Sequence, residues 1–251
     1  MDIRPNRIKR KLANGESTVI ASGLDRADAI DAFGPNGFDG IWLEGEHGSV
    51  DAAEIGDLTR ACDIWDMTSV VRVNRNDQNL IYRTFDRGAQ GICVPHVNTR
   101  EEAENVVAGG KFAPIGQRGL FTSRQGYGVT DYLKVANDET LLIILIEDII
   151  AVNNLDEILK VDNIDVFFVA PSDLAASMGL IGQHTGEKVQ KTIDDALAKI
   201  VDSGRTAGTM CLDAEWAGKY TKQGVKCLLT PSGPWLAAGA KHFKDSVEAA
   251  S

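Results

Sequence analysis

Several things are scarce in this sequence, and each scarcity closes a route. No apolar run reaches the ~18 residues that a membrane-spanning helix requires, so no membrane association is expected. The N-terminal stretch from Met1 to Ser17 is basic but has no apolar core of the signal-peptide kind, which points to a cytoplasmic protein. Only four cysteines occur, Cys62, Cys93, Cys211 and Cys227, without metal-type spacing. Three of them fall inside apolar strand-like runs, so buried reduced thiols are expected rather than disulfides or a zinc site. Basic residues are also short, 26 against 36 acidic, for a net charge of -10. That balance disfavours nucleic acid and anionic membrane as partners, and an anionic ligand would have to be held by local arginines. There is no low-complexity linker, and no glycine-rich fingerprint follows the first apolar run, as an open dinucleotide-binding sheet would need.

What is present is a folded, soluble composition, 43% hydrophobic and 25% charged over 251 residues. That length suits one parallel barrel, read here as a single domain over residues 1–251. Eight β-branched or apolar runs recur: Thr18 to Gly23, Gly40 to Leu43, Ser69 to Val73, Gly91 to Val97, Leu141 to Ile146, Asp165 to Ala170, Thr206 to Leu212 and Lys226 to Thr230. Between them lie patterns with a period near 3.6, at Asp51 to Trp65, Asn79 to Phe85, Thr99 to Val107 (Thr99 as N-cap), Leu155 to Lys160, Glu187 to Asp202, Ala214 to Lys222 and Trp235 to Ala249. Strand and helix in alternation predict an α/β protein with a (β/α)8 (TIM) barrel, the open doubly wound sheet being the alternative.

The stretch GIWLEGEHGS, Gly40 to Ser49, runs from an apolar strand directly into Glu44, Glu46 and His47. In parallel barrels the carboxyl ends of strands are where chemistry is placed. Strand three carries Arg72, strand five ends in Glu147 and Asp148, and strand six leads to Asp173. Neighbouring strands lie ~4.8 Å apart, so Glu147 and Asp173 are candidates to share one cation. Two carboxylates without paired His or Cys suit a hard divalent ion such as Mg2+ or Mn2+, with Co2+ or Zn2+ as further options and water or substrate oxygens completing the shell. The alternative is that Glu147 pairs with a lysine while Asp173 only caps a helix.

His47 is the candidate general base, with Glu44 three residues earlier to orient its ring. Arg72, flanked by apolar residues in VVRVN, calls for an anion, either a substrate carboxylate or enolate or a salt bridge to Glu44 or Glu46. His96, after Pro95, could line the pocket. Two segments break the rhythm. Pro114 to Gly128 (PIGQRGLFTSRQGYG), extended by Val129 to Glu139, is a long insertion that is either functional or merely mobile and solvated. Pro171 to Gly179 (PSDLAASMG) offers Ser172 or Asp173 as the cap of a short helix.

Taken in order and spacing, LEGEHGSVD, VVRVNRNDQNLIYRTFDRGAQGICVPHVNTREEAE, APIGQRG, ILIEDIIAVNNLDEIL and DVFFVAPSDLAASMG resemble the class II pyruvate aldolases of the HpcH/HpaI aldolase family, over roughly residues 15 to 205. The resemblance implies a phosphoenolpyruvate/pyruvate-type barrel that assembles as a trimer or hexamer, its last helix packing on a neighbour. It implies an aldehyde-lyase of the 4-hydroxy-2-oxoheptanedioate or 2-keto-3-deoxy sugar acid type, cleaving a 4-hydroxy-2-oxo acid into pyruvate and an aldehyde with a divalent metal. It also implies that His47 is the general acid/base, that Arg72 binds and polarises the oxo acid, that Glu147 and Asp173 hold the metal, and that the backbone at Ser172 and Asp173 meets the pyruvate carboxylate. A thioester lyase of the malyl or citryl type, and an oxo-acid-binding protein without catalysis, are the alternatives. The chain departs from the family pattern at Glu44 (often Asp), Leu145 (often Gln), Ala21 (an aromatic in some members) and Pro231, Ser232 and Gly233 (a Gly-x-Asp pattern). The pocket that chooses the aldehyde is therefore expected to differ.

Overall fold

In the computed structural model, which describes residues 1–250, the eight apolar runs form one closed parallel barrel in sequence order, β1-β2-β3-β4-β5-β6-β7-β8, with β8 pairing back to β1. The strands are β1 Thr18–Ser22, β2 Gly40–Glu44, β3 Thr68–Arg72, β4 Gly91–Val94, β5 Leu141–Ile146, β6 Val166–Val169, β7 Ala207–Met210 and β8 Cys227–Pro231. The helices are α1 Arg7–Ala13, α2 Ala27–Phe33, α3 Ile55–Ile64, α4 Gln78–Asp86, α5 Arg100–Gly110, α6 Tyr132–Glu139, α7 Ile149–Asn153, α8 Leu155–Ile158, α9 Pro171–Ser177, α10 Glu187–Asp202, α11 Ala214–Lys222 and α12 Gly233–Ala249.

The reason the strands read as unbroken apolar runs is that each is buried on both faces. In β5 (LLIILI), Leu141, Ile143 and Leu145 join the filling of the barrel, while Leu142, Ile144 and Ile146 face the helices. This is the period-two alternation of a strand. The filling includes Ile20, Trp42, Val70, Cys93, Phe168 and Leu229, so the barrel is a packed core, and a cavity opens at the carboxyl ends of the strands. All four cysteines are free and buried, as expected. Thr99 caps α5 in a reciprocal box with Glu102, also as expected.

Four helices escaped the sequence reading, α1, α2, α6 and α7. The basic N-terminal stretch forms α1, which closes the lower end of the barrel: Ile8 is fully buried within the barrel filling, and Asn6 caps the helix by accepting from the Lys9 amide at 3.0 Å. Its cations meet acidic residues at the amino ends of the strands, Lys11 with Asp39 at 3.0 Å and Lys9 with Asp165. The short helix α2 follows β1.

The long insertion needs a correction. It packs at the amino-terminal end of the barrel, away from the mouth, and its arginines are structural. Arg118 bonds Asp86 at 2.9 Å and lies against the Phe85 and Phe112 rings. Arg124 bonds Asp63 at 2.6 Å, and part of the segment is helical as α6. At the other end of the chain, Trp235 of α12 stacks on Phe33, yet α12 contributes no buried residue, and Leu236 and Phe243 are 71% and 73% exposed. Among the described residues no helix is long and apolar enough to cross a membrane.

Candidate active site

At the end of β2 the chain turns back over β3, and glycine makes the turn possible. The amide of Gly45 donates to the Arg72 carbonyl at 3.0 Å, and a Cβ at Gly45 would stand 2.6 Å from that same oxygen. A Cβ at Gly48 would meet the Glu44 carbonyl at 2.6 Å. The tight loop so formed directs Glu44, Glu46 and His47 over the mouth.

Strand register places Glu44 opposite Arg72. The Arg72 Nε lies 3.0 and 2.8 Å from the two Glu44 carboxylate oxygens, Nη2 lies 2.7 Å from Glu44 Oε2, and Nη1 lies 3.0 Å from Glu46 Oε2. Since a guanidinium carries five N–H groups, donors on both terminal nitrogens stay free for a ligand. Glu44 also accepts the Trp42 indole N–H at 3.2 Å and the backbone N–H groups of Glu46 and His47 at 2.8 and 3.1 Å. Burial alone would raise the Glu44 pKa, but the hydrogen bond from Arg72, its charge and the two amides outweigh that and hold the carboxyl below its ordinary range. Arg72 is likewise pushed further up by Glu44 and Glu46, against the opposing effect of burial.

The expectation that Glu44 orients the His47 ring is corrected by this geometry. The Glu44 carboxylate holds the His47 backbone, while the imidazole, its side chain 68% exposed, comes closest to Glu46, with Nε2 3.8 Å from Oε2. Because cross-strand pairing with Arg72 satisfies Glu44, it has no oxygen directed to the ring.

Across the mouth, Glu147 follows β5 directly and is buried, with only 1% of the residue exposed. Its Oε1 accepts the backbone N–H of His96 at 2.7 Å, a residue held at a φ of 51°. Positive φ at a non-glycine residue is uncommon and often marks a functional loop. The His96 Nδ1 stands 3.0 Å from Asp148 and 3.5 Å from Glu147. Burial pushes the Glu147 carboxyl up to about 7, the charges of Asp173 and Glu46 add to the rise, and His96 offsets part of it. For His96, burial lowers the pKa, but the bond to Asp148 and the charges of Glu147, Asp148 and Glu46 prevail, leaving it raised.

Asp173 sits in the first turn of α9, whose N-cap position is Ala170 with Pro171 following. Neither Ser172 nor Asp173 caps the helix, contrary to expectation, because Pro171 opens the helix one turn position earlier. Their carboxylate and hydroxyl are thereby left to the cavity. The pair of Glu147 and Asp173 fits a hard divalent cation: two oxygen donors, one of them buried and resisting ionisation until a positive charge offsets its neighbours. Among the described residues no group of three or more His, Cys, Asp and Glu is arranged to hold a metal, so the rest of the shell would be water or substrate.

These elements border a cavity of about 380 Å³. Asp25, Glu44, His47, Arg72, Ser172 and Asp173 give it a polar side, and Trp42, Leu145, Phe168, Met210 and Leu229 an apolar floor. Glu147 stands behind this lining and feels the charge of Asp173, which is part of it. Several lining residues were missed from the sequence, Trp42 and Asp25 among them. Trp42 is two residues before Glu44 on one strand, hence on the same face, and that spacing was the available signal. Asp25 follows β1, a strand end like those that drew attention elsewhere.

The profile of the HpcH/HpaI aldolase/citrate lyase family matches residues 18–226. The hydroxypyruvate/pyruvate aldolase of Roseovarius nubinhibens is 33% identical over 228 residues, covering 89% of each chain. The pyruvate aldolase of Rhizobium etli is 34% identical, covering 90% of each chain. Among solved structures, an HpcH/HpaI aldolase/citrate lyase family protein from Burkholderia cenocepacia superposes with a TM-score of 0.90 at 25% identity, covering 97% of this chain and 99% of that one. Sequence, barrel and the arrangement at its mouth agree: the chain belongs to the HpcH/HpaI aldolase/citrate lyase family of carbon–carbon lyases.

Proposed function

We propose that the protein catalyses reversible aldol cleavage of a 4-hydroxy-2-oxo acid to pyruvate and an aldehyde, with a divalent metal, Mg2+ or Mn2+ foremost. The observation that carries this reading is the presence, at one mouth, of a guanidinium with unused donors and the carboxylate of Asp173 on one cavity, with the buried Glu147 carboxyl behind it. Glu147 and Asp173 would hold the ion, which supplies Lewis-acid polarisation of the oxo acid. Arg72 donates to the oxo and carboxylate oxygens and stabilises the enolate charge that develops as the C3–C4 bond breaks. Glu44, with Glu46, fixes the plane of the guanidinium. The free backbone N–H groups at Ser172 and Asp173 receive the carboxylate of the oxo acid. His47, exposed at the rim, takes the 4-hydroxyl proton in cleavage and returns it in addition.

The bare apolar face of α12, with Leu236 and Phe243, supports a homo-oligomer, trimer or hexamer, in which that helix is covered by a neighbour. The deciding experiment is exchange of the pyruvate methyl protons in deuterated water, followed by NMR with Mg2+ or Mn2+ and with a chelator. Exchange that needs metal and is lost in Arg72→Ala is the expected result. Folded protein showing no exchange with any metal would refute the pyruvate half of the reaction.

A further inference from the structure

Asp25, on the turn after β1, lines the cavity but takes no part in the chemistry derived above. Its Oδ1 accepts only a long bond of 3.4 Å from the Glu44 amide. No ion pair and no other hydrogen bond involves it among the described residues, so one carboxylate oxygen has no protein donor. Burial pushes its pKa up, the Glu44 amide offsets part of the rise, and the charges of Glu44 and Glu54 add to it.

Its position relative to the donor end follows from topology. In a closed ring of eight strands in sequence order, β1 lies across the barrel from β5, whose end carries Glu147. A 2-oxo acid gripped near Asp173, Ser172 and Arg72 therefore directs its C4 substituent toward β1 and β2, where His47 and Asp25 stand. That end of the cavity contains no lysine and no second arginine. Arg72 already faces two glutamates. A second carboxylate on the aldehyde would meet Asp25, which no cation pairs, whereas a hydroxyl would find in Asp25 an acceptor still lacking a donor.

We infer that the acceptor end selects uncharged, hydroxylated aldehydes and rejects carboxylated ones, with Asp25 as the residue that sets this selectivity. The inference rests on the aldolase reading above, and its test keeps the two apart. Wild type, Asp25→Asn and Asp25→Lys are compared for kcat/KM in aldol addition of pyruvate to glyceraldehyde and to succinic semialdehyde, with Mn2+. Methyl exchange of pyruvate by the wild type is recorded alongside. The wild type should favour glyceraldehyde, Asp25→Asn should move the ratio about tenfold toward the semialdehyde, and Asp25→Lys should move it further. A ratio that stays within about twofold in both variants, while wild-type exchange is intact, overturns the role of Asp25. Wild-type protein without exchange overturns the aldolase reading, and this inference with it.

Discussion

The burial of Glu147 should be visible in stability before any turnover is measured. Its carboxyl titrates at about 7 in the folded protein against an ordinary value of 4.5. Between those pH values the folded state keeps a proton that the unfolded chain has released, so stability falls as pH rises through this window. At 1.36 kcal/mol per pH unit, the span amounts to about 3 kcal/mol. His96 adds to the trend, because its raised pKa means that stabilisation by its charged form is present at low pH and lost as pH rises through the folded value. Glu147→Gln keeps the shape and the acceptor for the His96 amide but removes the charge. Urea unfolding of both proteins in chelator, from pH 4.5 to 8, isolates Glu147 in the difference between the two curves. The variant should gain on the wild type by up to about 3 kcal/mol at the alkaline end. Adding Mn2+ at about a hundred times its Kd should restore about 2.7 kcal/mol to the wild type alone, a rise in Tm of about 5–10 °C for a chain of this size. Parallel pH curves for the two proteins, or equal stabilisation of both by Mn2+, would refute the assignment of Glu147.

Three further outcomes follow from the site and the surface. His47→Ala should lower aldol turnover by about 10²–10⁴-fold while leaving the Mn2+-induced rise in Tm intact; a normal rate would remove His47 from the chemistry. Trp42→Phe deletes the indole donor to Glu44 and should cost about 2 kcal/mol in urea unfolding and raise the KM for pyruvate, since a bond to a charged acceptor is lost; unchanged stability and KM would show the bond to be idle. Leu236→Glu combined with Phe243→Glu should shift sedimentation to a smaller species, and an unaltered sedimentation coefficient would mean that α12 is not the contact.

The barrel could be read from the sequence because burial on both faces writes a strand as a solid apolar word, as in LLIILI of β5. Helices α10 and α11 announced themselves by period and by their polar flanks. The basic N-terminus gave no such sign: α1 buries chiefly Ile8, and its role as a plug depends on acidic residues brought together from other strands, Asp39 and Asp165. Strand-end position picks out the residues at the mouth, and a salt bridge to Glu44 or Glu46 is one of the two kinds of partner the sequence offers Arg72, but it leaves the choice between them open. Whether Glu44 turns to His47 or to Arg72 is decided by the register between β2 and β3, which no local pattern encodes. The insertion misled for a related reason. Its glycines signal a loop, while the end of the barrel it covers is fixed by where Asp63 and Asp86 lie in space.

The plug formed by α1 has a consequence for traffic. With Ile8 and the packed side chains above it sealing one end, the barrel is a well with a single opening. Whatever rests against Leu145 and Phe168 at the floor can leave only after the molecule above it has gone. Under the aldolase reading proposed above, the oxo acid and the aldehyde would both enter and leave past the same rim, where His47 stands exposed. The shape of the vessel would then couple their traffic before any residue acts on a bond.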